Sequence, residues 1–212
     1  MPMKNISGSK IGWVFIKYIS VFTGLHFFIL SASLLQAGGF SEIRVGDRVP
    51  SFVANDDTGN LWSLAEASGE KNIVLYFYPA AMTEGCTIQA CAYRDQSIDL
   101  QNLDSIVVGV SGDSVNNLRL FKQVNQLNFT LLSDIDGTIA RLFGVSLREG
   151  GSIERQIDGS PYLLERGLTI ARWTFVIGKD QRILYKNTDV AVTEDTARVI
   201  AEISKSEGLG LN

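Results

Sequence analysis

The chain has 212 residues, 19 basic and 23 acidic side chains, and a formal net charge of −4 at neutral pH. That length suits one domain with a sizeable core plus an extra segment, and the acidic balance argues against nucleic acid as a partner. Two cysteines and one histidine are too few for a structural zinc site, which needs four nitrogen or sulfur ligands.

The first 37 residues differ from the rest. They carry Lys4, Lys10 and Lys17 and no acid, followed by an uncharged stretch from Tyr18 to Phe40 rich in Val, Phe, Leu and Ile. A basic start, an apolar run and small residues near Ala37 describe a secretory signal cut after Ala37. The alternative is an uncleaved membrane anchor, since the uncharged stretch is nearly long enough to span a bilayer. No cysteine follows the run, which argues against a lipid anchor. Lysines ahead of it would keep the N-terminus inside and send residues 38–212 out of the cytoplasm, to a periplasmic or membrane-anchored location. Cleavage would remove three positive charges and no negative ones, taking −4 to −7. His26, the one histidine, lies inside this leader and reads as a tolerated polar residue rather than a ligand.

Gly38 to Gly46 is a short linker. Phe52 to Leu64 carries the polar turn Asp56-Asp57-Thr58-Gly59-Asn60 and suggests a hairpin. The run Asn72–Tyr78, apolar and β-branched or aromatic, is closed by Pro79 and reads as a buried strand. Helical spacing follows from Cys86 to Leu100. A strand is expected at Ser105–Ser111, a helix near Val115–Val124 and a short helix at Asp136–Phe143. Residues 146–170 are polar, with turn signals at Gly150-Gly151-Ser152 and Asp158-Gly159-Ser160-Pro161, and predict an exposed loop or small hairpin. Arg172–Ile177 and Arg182–Lys186 flank Gly178-Lys179-Asp180-Gln181, another hairpin signal. The last helix runs from about Glu194 to Ser204, capped by Thr193 and buried through Ala197, Ile200 and Ile203. This order predicts an α/β fold, a mixed central sheet covered by helices on both faces.

The chemistry concentrates at Cys86. It falls where a strand hands over to a helix, in the first helical turn, where backbone N–H groups lack intrahelical partners and the helix dipole favours negative charge. A cysteine there is expected to be populated as the reactive thiolate. Cys91 lies five residues along the same helix. On an ideal helix that separation is about 7.5 Å of rise and about 140° of rotation, so the Cα atoms sit roughly 8–9 Å apart, beyond the limit of about 7 Å for a disulfide. A Cys86–Cys91 bond therefore requires the helix to unwind.

The stretch Tyr76-Phe77-Tyr78-Pro79, Thr83-Glu84-Gly85-Cys86-Thr87 and Ala90-Cys91-Ala92-Tyr93-Arg94-Asp95 resembles the peroxiredoxins, which carry P-x-x-x-T-x-x-C. It is closest to their Q-type branch (bacterioferritin comigratory protein) within the AhpC/TSA-like family. Gly46-Asp47-Arg48-Val49-Pro50, Ser111-Gly112-Asp113-Ser114, Phe129–Asp134 and Arg172-Trp173-Thr174-Phe175 fit in the family's order, so the likeness runs from about Val45 to the C-terminus. It implies a thioredoxin fold over residues 38–212, with 146–170 as an insertion, and a thiol-dependent peroxidase acting on hydrogen peroxide and organic hydroperoxides.

By resemblance, Cys86 is the peroxidatic cysteine and becomes a sulfenic acid. Arg172 is the guanidinium that holds its charge; the plainer reading is a rim residue snorkelling off a strand end. Thr83 contacts the peroxide, or caps the helix. Pro79, Gly85 and Tyr78 form the substrate pocket, with Pro79 equally a strand terminator. Cys91 is the resolving cysteine by resemblance; it could instead be an inert buried residue or half of a permanent disulfide. No metal or organic cofactor is implied, and electrons would come from a thioredoxin-like reductant. Glu84 replaces the branch's usual proline, Gln89 its usual Glu, and Leu118 a frequent His. A thioredoxin-type C-x-x-C reductase does not fit, because four residues separate the cysteines. An exported thioredoxin-fold binding or thiol–disulfide exchange protein without peroxidase turnover remains the alternative.

Overall fold

The computed structural model describes residues 42–208. The apolar leader and the cut after Ala37 lie outside the described residues. The elements are β1 (Val53–Asp56), β2 (Leu61–Ser63), α1 (Leu64–Ala67), β3 (Asn72–Phe77), α2 (Glu84–Asp95), α3 (Ser97–Asn102), β4 (Ser105–Ser111) and α4 (Val115–Val124). They continue with β5 (Thr130–Ser133), α5 (Thr138–Phe143), β6 (Leu147–Ile157), β7 (Ser160–Ile170), β8 (Trp173–Ile177), β9 (Ile183–Asn187) and α6 (Asp195–Ser206).

Seven strands form one sheet in the order β2-β1-β5-β4-β3-β8-β9. The centre is parallel, β3 beside β4 and β4 beside β5, and both flanks are antiparallel. All six residues of β3 are buried, so it reads as a continuous apolar run rather than an alternating one. Its side chains nevertheless divide by the pleat. Ile73, Leu75 and Phe77 join one core with Phe143 of α5 and Phe175 of β8. Val74, Tyr76 and Tyr78 join a second core under α2, α4 and α6, which contains Cys86. Gly109 of β4 faces Tyr76 in the register. A Cβ there would come within 2.9 Å of the Tyr76 ring and of Leu131, so the missing side chain makes room for the tyrosine behind the active helix.

Four expectations are corrected. The helix expected over Cys86–Leu100 is two helices, divided at Gln96. Strand β5 was not expected; it is only four residues, and its adjacent leucines, Leu131 and Leu132, are both buried on opposite faces, which hides the two-residue period. Gly150-Gly151-Ser152 is no turn but part of β6. Helix α6 begins at Asp195, with Glu194 and not Thr193 at the cap and no side-chain capping bond. Ala197 is exposed, while Asp195 and Thr196 turn inward beside Val199 and Ile203.

Residues 147–170 form a two-stranded antiparallel arm, β6 against β7, that stands apart from the main sheet. Asp158 and Gly159 make its turn, both with positive φ, 50° and 79°, the conformation that matches a hairpin's right-handed twist. Pro161 is tolerated inside β7 because both strands of a two-stranded ribbon are edges.

Candidate active site

The segment from Tyr78 to Thr83 joins β3 to α2 and carries the site. The Tyr78 N–H still donates to Val110 O at 3.0 Å, and Pro79 then ends the ladder, having no N–H to give. Two residues on, the Ala81 N–H donates to Asp113 Oδ2 at 2.8 Å. The same oxygen accepts the Ser111 hydroxyl at 2.9 Å. Met82 sits at φ 63°, a left-handed conformation that costs a residue with a side chain about 1–2 kcal/mol. Thr83 occupies the cap position of α2, yet makes no side-chain capping bond. Its hydroxyl donates to Ala80 O at 2.9 Å. With its proton committed, the Thr83 oxygen is left as an acceptor facing the start of the helix.

Cys86 is the third residue of α2 and only 1 % exposed. Arg172, in the two-residue link between β7 and β8, donates from Nη2 to Cys86 Sγ at 3.3 Å. Gly85 lies directly under this guanidinium: a Cβ on it would be 3.5 Å from Nη2. The other guanidinium nitrogen, Nη1, donates to Gln89 Oε1 at 2.6 Å. Gln89 Nε2 in turn donates to Asp195 Oδ2 at 2.7 Å, which also accepts from Tyr93 Oη at 2.6 Å and Thr174 Oγ1 at 2.8 Å. The chain of bonds has one direction. Three donors converge on Asp195, so Gln89 must turn its NH₂ that way and its carbonyl toward Arg172. This fixes the guanidinium with one nitrogen on the amide and the other on the sulfur.

Behind the sulfur lie three fully buried tyrosines. Tyr76 stacks between Tyr78 and Tyr93, with ring centroids at 5.4 and 4.9 Å. Burial pushes all three phenols well above their usual range, so they stay neutral and add no charge beside Cys86. Tyr78 thus shares the Cys86 core, whereas Phe77 packs on the opposite face. Leu118, where the resembling branch often has His, is buried in the same apolar wall. Glu84 is exposed, so water screens its charge. Cys91 is half-buried on the same unbroken helix, and both thiols are free. Among the described residues no group of three or more His, Cys, Asp or Glu side chains could hold a metal ion, and no helix is long and apolar enough to cross a membrane.

Asp113 gives a pH signature. Burial raises its carboxyl above the ordinary 3.8, against the opposing bonds from Ala81 and Ser111. The folded chain therefore holds this proton to higher pH than the unfolded chain does. The cost of burying the charge is absent below pH 3.8 and grows as pH rises through the raised value. In Asp113→Asn the amide oxygen can still accept both donors and carries no such cost. Urea unfolding across acid pH is expected to show the parent losing stability relative to this variant as pH rises above 3.8, then a constant difference. A difference independent of pH would contradict it.

The structure brings Cys86, Gly85, Tyr78 and Arg172 together, sets Thr83 at the cap of the same helix and Pro79 in the loop before it, and puts Cys91 a turn and a half along the helix. Sequence reasoning missed Asp195 as the anchor of the guanidinium. Its donors come from positions 89, 93 and 174, so no local pattern links them. Asp113 was within reach, since it stands in the Ser111-Gly112-Asp113-Ser114 stretch that matched the family. Arg155 was hidden in the insertion: its Nε donates to Met82 O at 2.8 Å.

A β3–loop–α2 unit with a cysteine in the first turn and an arginine on its sulfur defines a thiol peroxidase of thioredoxin fold. The AhpC/TSA family model matches residues 45–186, and the chain belongs to that family. Within it, the chain is 39 % identical over 134 residues to a Coxiella burnetii protein described as a peroxiredoxin bcp, covering 62 % of this chain and 88 % of that one. It is 41 % identical over 103 residues to peroxiredoxin Bcp of Escherichia coli, covering 49 % and 65 %. The crystal structure of peroxidoxin BcpB from Mycobacterium tuberculosis superposes with a TM-score of 0.65 at 32 % identity, covering 77 % of this chain and 98 % of the other. The protein is thus a peroxiredoxin of the Bcp or Q type and an oxidoreductase.

Proposed function

We propose that Cys86 attacks the terminal oxygen of a hydroperoxide, that Thr83 and Arg172 hold the peroxide, and that Cys91 resolves the product within the same chain. In the first step the Cys86 thiolate forms an S–O bond as the O–O bond breaks. The O–H hydrogen stays on the oxygen that joins the sulfur, so Cys86 becomes a sulfenic acid, and the departing alkoxide or hydroxide takes up the proton the thiol released on ionising and leaves as alcohol or water. In the second, the Cys91 sulfur attacks the Cys86 sulfur and releases water, leaving a disulfide. An external dithiol then reduces the disulfide and becomes oxidised in its place. The observation that carries this reading is the Arg172 guanidinium on Cys86 Sγ at 3.3 Å, at a helix N-terminus that also favours negative charge. The Thr83 oxygen, its own proton given to Ala80, suits the O–H end of a hydroperoxide.

The test is the free-thiol count and intact mass of the reduced domain starting at Gly38, before and after one equivalent of hydrogen peroxide. Both thiols are expected to disappear with loss of two hydrogens. Two thiols surviving for minutes would defeat the proposal and leave a thiol-exchange or binding module.

The proposed reductant is a thioredoxin-like dithiol protein. The basic start and the uncharged run from Tyr18 to Phe40 support export, and an exported enzyme needs its electron donor on the same side of the membrane. Fractionation with N-terminal mass analysis is expected to find the chain outside the cytoplasm, either starting at Gly38 or retained by its leader. Cytoplasmic protein with residues 1–37 intact would overturn the export proposal.

A further inference from the structure

The mechanism does not use the β6–β7 arm, yet the arm touches the active-site loop. Along β6 and β7 the pleat places Ile153, Arg155, Leu164 and Arg166 on one face, with Arg155 opposite Tyr162 and Ile153 opposite Leu164. That face lies against the body: Leu164 is buried, and Ile153, Arg155 and Arg166 are partly buried, whereas Glu154 and Gln156 are exposed. Two places near the base of the arm bear on the loop's support. Gly112 packs so closely under Leu168 that a Cβ would come within 2.3 Å of the Leu168 carbonyl oxygen. The backbone of Arg166 pairs with that of Asp113 in an isolated antiparallel β-bridge, and Asp113 is the residue that accepts the Ala81 N–H. Further along, Arg155 reaches the loop itself. Its Nε donates to Met82 O at 2.8 Å while Nη1 is tied to Glu154 O at 2.8 Å.

Met82 is where this matters. It holds a left-handed backbone one residue before the cap of α2, so this peptide is a strained hinge at the mouth of the helix that carries both cysteines. A Cys86–Cys91 bond needs the first turns of α2 to unwind, and that motion must pass through the Met82 peptide. The break at Gln96 allows α2 to open without α3. A cation held on the Met82 carbonyl stabilises the folded loop and opposes its opening.

We propose that Arg155 of the β6–β7 arm is a positioning residue, clamping the Met82 peptide so that the peroxide pocket stays formed and α2 resists the unwinding that resolution by Cys91 requires. This rests on the two-cysteine reading above. The arm therefore sets the balance between the two chemical steps: it favours capture of peroxide and slows disulfide formation.

The experiment is rapid-mixing kinetics on the reduced full-length protein, separating peroxide-dependent oxidation of Cys86 from the peroxide-independent formation of the disulfide. Parent, Arg155→Ala, Arg155→Lys and Gln156→Ala are compared. In Arg155→Ala, disulfide formation is expected to be roughly tenfold faster, the size of one lost hydrogen bond to a charged donor, and oxidation by peroxide slower. Arg155→Lys keeps a donor for Met82 O and is expected to lie between. Gln156→Ala, on the outer face, is expected to match the parent. If Arg155→Ala does not fold, the lysine variant carries the test through the same opposed shift. Equal rates in parent and arginine variants would overturn the clamp, and so would both rates falling together with thermal stability. A parent that forms no disulfide with peroxide would instead sink the two-cysteine reading, a different and separately visible result.

Discussion

Cys86→Ser is expected to abolish peroxide turnover while leaving the fold intact. The hydroxyl is a far poorer nucleophile than a thiolate, and among the described residues no other thiol lies in the first turn of a helix. Stability should change by less than about 1 kcal/mol, because serine is close to cysteine in size and its oxygen can still accept from Arg172 Nη2. Cys91→Ser should separate the steps. Cys86 would still consume one equivalent of peroxide, and the product would gain an oxygen atom in place of losing two hydrogens. Excess peroxide would carry that sulfenic acid on to the sulfinic form. Intact mass and peroxide consumption read both variants. Turnover retained in Cys86→Ser would remove Cys86 as the nucleophile, and a lasting two-hydrogen loss in Cys91→Ser would remove Cys91 as its partner.

Arg172→Met should lower the second-order rate with hydrogen peroxide by about a hundredfold to a thousandfold, ~2.7–4 kcal/mol. The loss is of a preorganised donor aimed at the reacting sulfur in a pocket with little water, where such a donor counts most. Asp195→Asn tests whether the guanidinium must also be held. Asparagine can turn an NH₂ toward Gln89, so the amide is no longer forced to face its carbonyl to Arg172. The expected result is a smaller fall in the same rate constant than in Arg172→Met. A purely structural role would lower the melting temperature and leave the rate per folded molecule unchanged. If Arg172→Met oxidises as fast as the parent, the guanidinium has no part in the chemistry.

Much of this site could be read from one segment of chain. A run of buried β-branched and aromatic residues must be a strand, a proline must end its ladder, and a helix that follows must offer unpaired N–H groups at its start. Cys86 at that place is therefore a statement about local structure, as is the impossibility of bonding it to Cys91 on an intact helix. Ser105–Ser111 and Val115–Val124 came out with the expected bounds for the same reason: each has its period written locally.

Where neighbours decide, the sequence was silent. Strand β5 is four residues with leucines on both faces, so only its pairing with β4 and β1 makes it a strand. Helix α6 has an ordinary acidic first turn, and nothing in it says that Asp195 points inward to collect Gln89, Tyr93 and Thr174. The insertion read as an exposed loop or small hairpin, with an extra turn placed at Gly150-Gly151-Ser152. In the structure it is a hairpin turning at Asp158-Gly159, and Gly150 instead lets its two strands approach closely, a Cβ there falling 1.9 Å from Arg166 O. The sequence by itself placed Cys86 at a helix terminus, because that follows from backbone hydrogen bonding within one short segment, and its resemblance to the peroxiredoxins implied the class of chemistry. The tertiary structure alone decided how Arg172 is aimed and what restrains the Met82 peptide, because those contacts join residues 73 to 106 positions apart and exist only once the core has closed.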